Sequence, residues 1–205
     1  YRSLMMRKRN ERMIKSLQNT IPYLPDKVKT KDFNLIENFD IDKWSSSVSG
    51  STFYFNDYAE EEEIHHLDGQ TIEEAEHQIA TRLYQNNARV HFNQHIEKSG
   101  RFGKRIIYGG YIISLARAIS CNGLANTFKL AAIHSGKHSA PTFAGDTIYA
   151  WSKILEKEII HKNVGAMMIR TLASKNDAKM NFPDKKKLTD NIVLDLEYSV
   201  LIPIK

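Results

Sequence analysis

The chain has 205 residues, of which 41% are hydrophobic and 26% are charged. These proportions are typical of a soluble globular protein and exclude a disordered or collagen-like chain. No apolar run approaches the roughly 18 residues that a membrane-spanning helix needs, and no segment has the pattern of a secretory leader. The single cysteine, Cys121, cannot form an internal disulfide and fits a reducing compartment. We therefore expect a cytoplasmic protein.

The net charge of +5 and the pI near 9.1 are compatible with an anionic ligand. The basic residues are scattered, however, and the sequence has no nucleic-acid motif and no phosphate-binding glycine loop followed by lysine. The histidines other than His91 do not have the spacing of metal ligands. They are His65, His66, His77, His95, His134, His138 and His161. We expect no metal site, no nucleic-acid partner and no membrane.

The first fifty residues are predicted to lie outside the main domain. The chain starts at Tyr1, and residues 1–10, YRSLMMRKRN, predict the closing strand of a unit that begins earlier in a longer protein. Residues 11–50 are polar, contain Pro22 and Pro25, and predict a linker with short helical turns. Residues 51–205 form the domain. It begins with an aromatic segment and a short strand or turn that ends at Asp68-Gly69.

The segment TIEEAEHQIATRLYQNNARVHF predicts an amphipathic helix. Thr71 and Glu74 have the spacing of a capping box. Apolar residues at helical spacing predict the buried face. These are Ile72, Ala75, Ile79 and Leu83. The pattern stops near Asn86-Asn87, residues that favour helix ends and turns, so we expect His91 just past the helix, on irregular backbone.

The segment GRFGKRIIYGGYIISLARAISCNGLANTF predicts a basic turn, then Gly109-Gly110, then an apolar helix from about Tyr111 to Gly123. A helix that is apolar on most faces is usually buried, and Cys121 on it would be a buried, unreactive thiol. The two glycines allow two interpretations. The free N–H groups and the helix dipole would form an oxyanion site, or the glycines would let the helix pack closely on a sheet.

The rest of the chain predicts strands. The segments are TFKLAAIHSGKH, GDTIYAWSKILEKEI, VGAMMIRTLASKN and VLDLEYSVLIPI. One buried helix followed by antiparallel strands predicts an α+β domain with a sheet wrapped around the helix.

Histidine can accept or donate a proton near neutral pH, and a hydratase of an unsaturated thioester needs such a group. Asn86 lies five residues before His91 and cannot act as a base, but its amide can hold a water molecule. A histidine at a helix end can also be purely structural, and the spacing alone leaves both interpretations open.

Four long runs, in order, carry a family resemblance. They are DGQTIEEAEHQIATRLYQNNARVHFN, GRFGKRIIYGGYIISLARAISCNGLAN, SGKHSAPTFAGDTIYAWSKILEK and VGAMMIRTLASKND with VLDLEYSVLIPIK. From about Asn56 to Lys205 the chain resembles the C-terminal half of the mesaconyl-CoA hydratase branch of the MaoC-like dehydratases. YRSLMMRKRN resembles the closing strand of that family's first hotdog. The resemblance implies a hotdog fold, an antiparallel β-sheet around a long central α-helix.

The family pairs an Asp with a His five residues later, and those positions fall on Asn86 and His91. The resembling branch also has Gln-Asn here, so Asn86 looks like the branch's own residue. The glycine whose N–H holds the thioester oxygen falls on Gly109. The sequence departs from the family at Cys121, usually Phe, and at Tyr111, often His.

The resemblance implies reversible hydration of mesaconyl-CoA to β-methylmalyl-CoA without a metal or redox cofactor. His91 would transfer protons, Asn86 would position water, and Gly109 would stabilise the thioester oxygen. Further residues are predicted to contact the substrate. These are Arg89, Arg101, Lys104, Arg105, Gly110 and Tyr111. The alternatives are a hotdog thioesterase and a non-catalytic acyl-CoA-binding half. In double hotdogs the substrate lies between two halves, so we expect a homodimer or pairing with a second hotdog half.

Overall fold

The computed structural model describes residues 25–34, 39–178, 182–183 and 188–205. The predicted closing strand at residues 1–10 lies outside them. In the described part of residues 11–50, the chain forms three single turns. These are 3-10 turns at Thr30–Asp32 and Ile41–Lys43 and the short helix α1, Ser46–Ser49. Further 3-10 turns span Phe55–Asp57 and Arg89–His91.

Five strands form one antiparallel sheet in the order β1-β3-β4-β5-β2. They are β1 (Glu63–Thr71), β2 (Lys129–Lys137), β3 (Thr147–His161), β4 (Val164–Lys175) and β5 (Ile192–Pro203). The last four match the predicted strand segments, which are rich in the β-branched and aromatic residues that favour pleated, packed strands. The expectation that the first strand ends at Asp68-Gly69 is wrong. β1 continues to Thr71 through a register shift between His66 and Gln70, because a bulge accommodates the turn-type residues.

Four helices lie in the described part of residues 51–205. They are α2 (Glu74–Leu83), α3 (Gln94–Glu97), α4 (Gly109–Ile119) and α5 (Cys121–Leu124). α4 packs against β1, β3, β4 and β5, and its side chains join the inward-facing residues of the sheet in the main core. The α+β class and the antiparallel sheet around a central helix are therefore confirmed.

α4 differs from its prediction in how much of it is buried. Ile112, Leu115 and Ala116 are buried, but Ser114 and Ala118 are exposed, because only one face of the helix meets the sheet. α4 ends at Ile119, and the backbone leaves the helical region at Asn122 and Gly123. The predicted burial of Cys121 is wrong. The thiol is exposed, beyond the end of α4.

The start and the buried face of α2 also differ from their predictions. Thr71 ends strand β1 and its hydroxyl contacts the Thr147 hydroxyl at 2.8 Å, so it is not part of a capping box. Ile72 is buried ahead of the helix, but Ile79 and Leu83 are 56% and 74% exposed, and Ala75 is also exposed. The buried face of α2 consists of His77, Ala80 and Thr81. It is turned towards α4, and this packing overrides the apolar periodicity of the helix.

A chain of hydrogen bonds crosses four strands inside the core. Tyr198 Oη lies 2.9 Å from Thr171 Oγ1, which lies 2.8 Å from Ser152 Oγ, which lies 2.8 Å from His66 Nε2. Nδ1 of His66 contacts the carbonyl oxygen of Asn122. A carbonyl can only accept, so Nδ1 donates and Nε2 accepts from Ser152. The four side chains are buried and satisfy one another's polar groups.

Candidate active site

His91 lies at the end of the 3-10 turn Arg89–His91, as irregular backbone after the helix predicts. Its Nδ1 atom is 3.0 Å from the carbonyl oxygen of Ile106. This contact keeps the proton of the neutral ring on Nδ1 and leaves Nε2 as an acceptor. Burial lowers the pKa of His91, and the hydrogen bond to Ile106 and the charge of Glu97 oppose that change. The ring is therefore a neutral base at physiological pH.

Asn86 lies three residues beyond the end of α2. Its N–H donates to the carbonyl oxygen of Thr81 at 3.0 Å, and its Oδ1 accepts from the N–H of Ala88 at 2.8 Å. The preceding Gln85 has a φ of 50°, in the left-handed region. The side-chain oxygen of Asn86 is therefore occupied by a hydrogen bond within the turn, and the side-chain NH₂ group is left to donate a hydrogen bond to a water molecule. Asn86 and His91 lie in the same loop, and Oδ1 of Asn86 is bonded to the backbone of that loop.

Gly109 and Gly110 begin α4, and the side chain of its N-cap residue, Tyr108, makes no capping hydrogen bond. The N–H groups of a first turn have no partner within the helix. A Cβ at Gly109 would come within 2.6 Å of His138 Nε2, and one at Gly110 within 2.6 Å of the Tyr108 ring. The close approach of His138 and Tyr108 therefore supports the steric interpretation of the two glycines. This interpretation does not exclude the other one, because the backbone N–H groups can still donate to an oxyanion.

The start of α4 and His91 lie side by side. The rings of Tyr108 and His91 have centroids 5.7 Å apart. The backbone N–H of Ile106 donates to the carbonyl oxygen of Val90 at 3.2 Å, next to the contact of His91 with Ile106. Two segments that are separate in sequence thus meet, and they bring the predicted proton-transfer group next to the predicted oxyanion donor.

The four basic residues near this site have protein partners. Arg105 pairs with Glu74 and also donates to a backbone carbonyl, and Arg89 Nε lies 4.0 Å from a carboxylate oxygen of Glu97. The exposed Arg101 lies over the Phe102 ring with a 5.0 Å separation, and Lys104 lies 4.4 Å from the centre of the Phe143 ring. Surface pairs and cation–ring contacts of this kind are weak. Contacts of these residues with CoA phosphates or with a substrate carboxylate remain predictions.

Tyr111 lies in the first turn of α4 and donates a hydrogen bond from its hydroxyl to Glu76 Oε2 at 2.9 Å. Burial, followed by the neighbouring Glu76, raises its pKa to about 12. The same ring lies 6.3 Å from the ring of His77, which was not among the predicted site residues. One signal was available, since His77 lies one helical turn before Thr81 on the face of α2 without large apolar residues.

In the part of the chain that the structure describes, no group of three or more His, Cys, Asp or Glu side chains could hold a metal ion. Within the same ranges, no helix has the length and apolar character that crossing a membrane requires.

The five-stranded antiparallel sheet with α4 across one face is the hotdog fold, and the site lies where α4 begins. No family model matches the chain. Over 98% of its length the chain is 48% identical to β-methylmalyl-CoA dehydratase of Chloroflexus aurantiacus, of which it covers 58%. Over 90% of its length it is 41% identical to mesaconyl-CoA hydratase of Cereibacter sphaeroides, of which it covers 54%. The chain thus spans little more than half the length of these curated relatives.

Solved structures agree with this similarity. A MaoC domain protein dehydratase from Chloroflexus aurantiacus superposes with a TM-score of 0.88 and 48% identity, over 97% of this chain and 58% of that one. A Mycobacterium tuberculosis protein with a double hotdog fold superposes with a TM-score of 0.56 and 23% identity, over 83% of this chain and 48% of that one. The second likeness concerns the fold alone. The predicted resemblance to the MaoC-like dehydratases and to mesaconyl-CoA hydratase is confirmed.

Proposed function

We propose that this protein hydrates and dehydrates an enoyl-CoA thioester, with mesaconyl-CoA and β-methylmalyl-CoA as the pair. The observation that carries the proposal is the position of His91, which has a fixed tautomer and lies beside the start of α4, where the N-cap side chain of Tyr108 makes no capping hydrogen bond. The names of the two curated relatives support the choice of substrate.

The chemistry needs one base and one oxyanion donor. Nε2 of His91 takes a proton from water as the water oxygen bonds to the β-carbon of the double bond. Negative charge moves to the thioester oxygen, where the N–H of Gly109, with Gly110 beside it, stabilises it. The protonated His91 then returns the proton to the α-carbon, so that one water molecule is added in total. The NH₂ group of Asn86 orients the water, and no step uses a metal or a redox cofactor.

A second hotdog unit is the proposed partner, either a second copy of this chain or another half of a longer protein. The outer face of α2 supports this, since Ile79, Leu83 and Tyr84 are 56%, 74% and 58% exposed. Such a run of large apolar side chains beside a site often marks an interaction surface. A cytoplasmic location remains part of the proposal.

The test incubates the purified protein with mesaconyl-CoA and follows both the absorbance of the conjugated double bond and the release of free thiol. We expect the absorbance to fall without thiol release. Thiol release would indicate a thioesterase, and binding without either change would indicate a non-catalytic acyl-CoA-binding unit. Either result would overturn the proposal.

The residue assignment is tested with His91→Ala, for which we expect kcat to fall about 100-fold or more because the proton-transfer group is lost. His95→Ala is the matched control, since His95 is exposed four residues further along the chain. Unchanged hydration by His91→Ala would contradict the mechanism. Measurement of the mass in solution, with and without Leu83→Glu, tests the proposed pairing.

A further inference from the structure

His77 fills the contact between α2 and the beginning of α4. The residue is fully buried, and its Nε2 atom lies 2.9 Å from the backbone nitrogen of Tyr108. The backbone N–H can only donate, so Nε2 accepts and carries no proton. Tyr108 immediately precedes Gly109, and this hydrogen bond therefore fixes the peptide at which α4 begins.

The same imidazole faces His91. The two rings have centroids 6.4 Å apart and are almost perpendicular, at 86°. The next residue, Gln78, donates from its side-chain amide to the carbonyl oxygen of His91 at 2.9 Å. Two consecutive residues of α2 thus hold the turn that carries His91 and the peptide that precedes Gly109.

The charge state of His77 suits this role. Burial, followed by the neighbouring His91 and Arg105, lowers its pKa to about 4. The ring is therefore neutral at physiological pH and keeps its acceptor atom. Its aromatic contact with Tyr111, at 6.3 Å, joins it to the first turn of α4 as well.

We propose that His77 is a positioning residue that keeps the start of α4 in register with His91. The inference rests on the proposed hydratase function. Without the acceptor at Nε2, the Tyr108 peptide is free to rotate and the N–H of Gly109 moves relative to the thioester oxygen. A misplacement of about 1 Å is enough to cost about 100-fold in rate. The loss falls on kcat, because the oxyanion exists only after water has attacked.

The kinetic test compares His77→Leu, His77→Gln and Thr81→Val in the whole protein with mesaconyl-CoA. We expect His77→Leu to lower kcat by about 10- to 100-fold with a change in KM of less than about threefold. His77→Gln should recover most of that loss, because its side-chain oxygen can accept from Tyr108. Thr81→Val is the matched control. It removes a buried hydroxyl one turn further along the same face, bonded to the His77 carbonyl at 2.8 Å, and should leave kcat within about twofold.

The second test is hydrogen exchange of the Tyr108 amide, with the Leu115 amide within α4 as the internal reference. We expect faster exchange at Tyr108 in His77→Leu and restored protection in His77→Gln. Unchanged kcat, a change in KM alone, no rescue by glutamine, or unchanged exchange at Tyr108 would each overturn the inference. If the wild-type protein does not hydrate mesaconyl-CoA, the proposed function fails, and the exchange comparison alone decides whether His77 holds this peptide.

Discussion

Replacing Gly109 with alanine places one methyl group against the ring of His138. The new Cβ would lie 2.6 Å from Nε2 and 3.0 Å from both Cδ2 and Cε1, whereas ordinary contact begins at 3.4 Å. The ring must therefore withdraw by about 0.8 Å, although a hydrogen bond to the backbone of Val193 restrains it. Overpacking of this kind costs about 1–3 kcal/mol, and the better helix propensity of alanine recovers at most about 1 kcal/mol. We expect Gly109→Ala to be destabilised by roughly 1–2 kcal/mol.

The assay is urea denaturation of a double-mutant cycle with His138→Ala. Once the ring is removed, the methyl group has space, and Gly109→Ala should be neutral or stabilising by up to about 1 kcal/mol. The coupling between the two sites should therefore be about 1–3 kcal/mol. Ala118→Gly on the exposed face of α4 is the control, and its cost should be the same in both backgrounds. If Gly109→Ala costs the same with and without His138, the steric reasoning is refuted.

Two predictions concern buried ionisable side chains. Burial lowers the pKa of both His66 and His77, the latter to about 4, so the unfolded chain binds more protons once the pH falls below the usual histidine pKa of about 6.5. The free energy of unfolding should decrease as the pH falls from 7.5 to 5. His66→Gln should reduce that decrease when it is measured by urea denaturation. An equal dependence on pH in the wild-type protein and in His66→Gln would contradict this prediction. Asp195→Asn should cost about 3–5 kcal/mol, because it leaves the buried guanidinium of Arg170, now held by two hydrogen bonds of 2.8 Å, without its counter-charge. Lys43→Ala, at an exposed ion pair, is the control and should lower the free energy of unfolding by less than about 0.5 kcal/mol. An equally small loss of stability for Asp195→Asn in thermal unfolding would refute the prediction.

The strands could be predicted because their signal is local. Segments such as VLDLEYSVLIPI are rich in residues that favour strands and have turns on both sides, and the observed β5 closely matches that segment. The position of His91 beyond the end of α2 was predictable for the same reason, since Asn86-Asn87 is a local stop signal. Two of the predictions that failed, the buried face of α2 and the burial of Cys121, depend on which neighbour each residue meets.

The sequence by itself determined the fold class, the four long strands, the two main helices and the candidate pair of His91 and Gly109. Only the tertiary structure decided that His77 lies between them, because its hydrogen bond joins residues that are 31 positions apart. A pattern of apolar residues indicates which side of a helix is hydrophobic, but not which backbone N–H lies opposite a buried ring. That contact exists only after α2 and α4 have packed together, and burial then fixes the charge state of His77 as well.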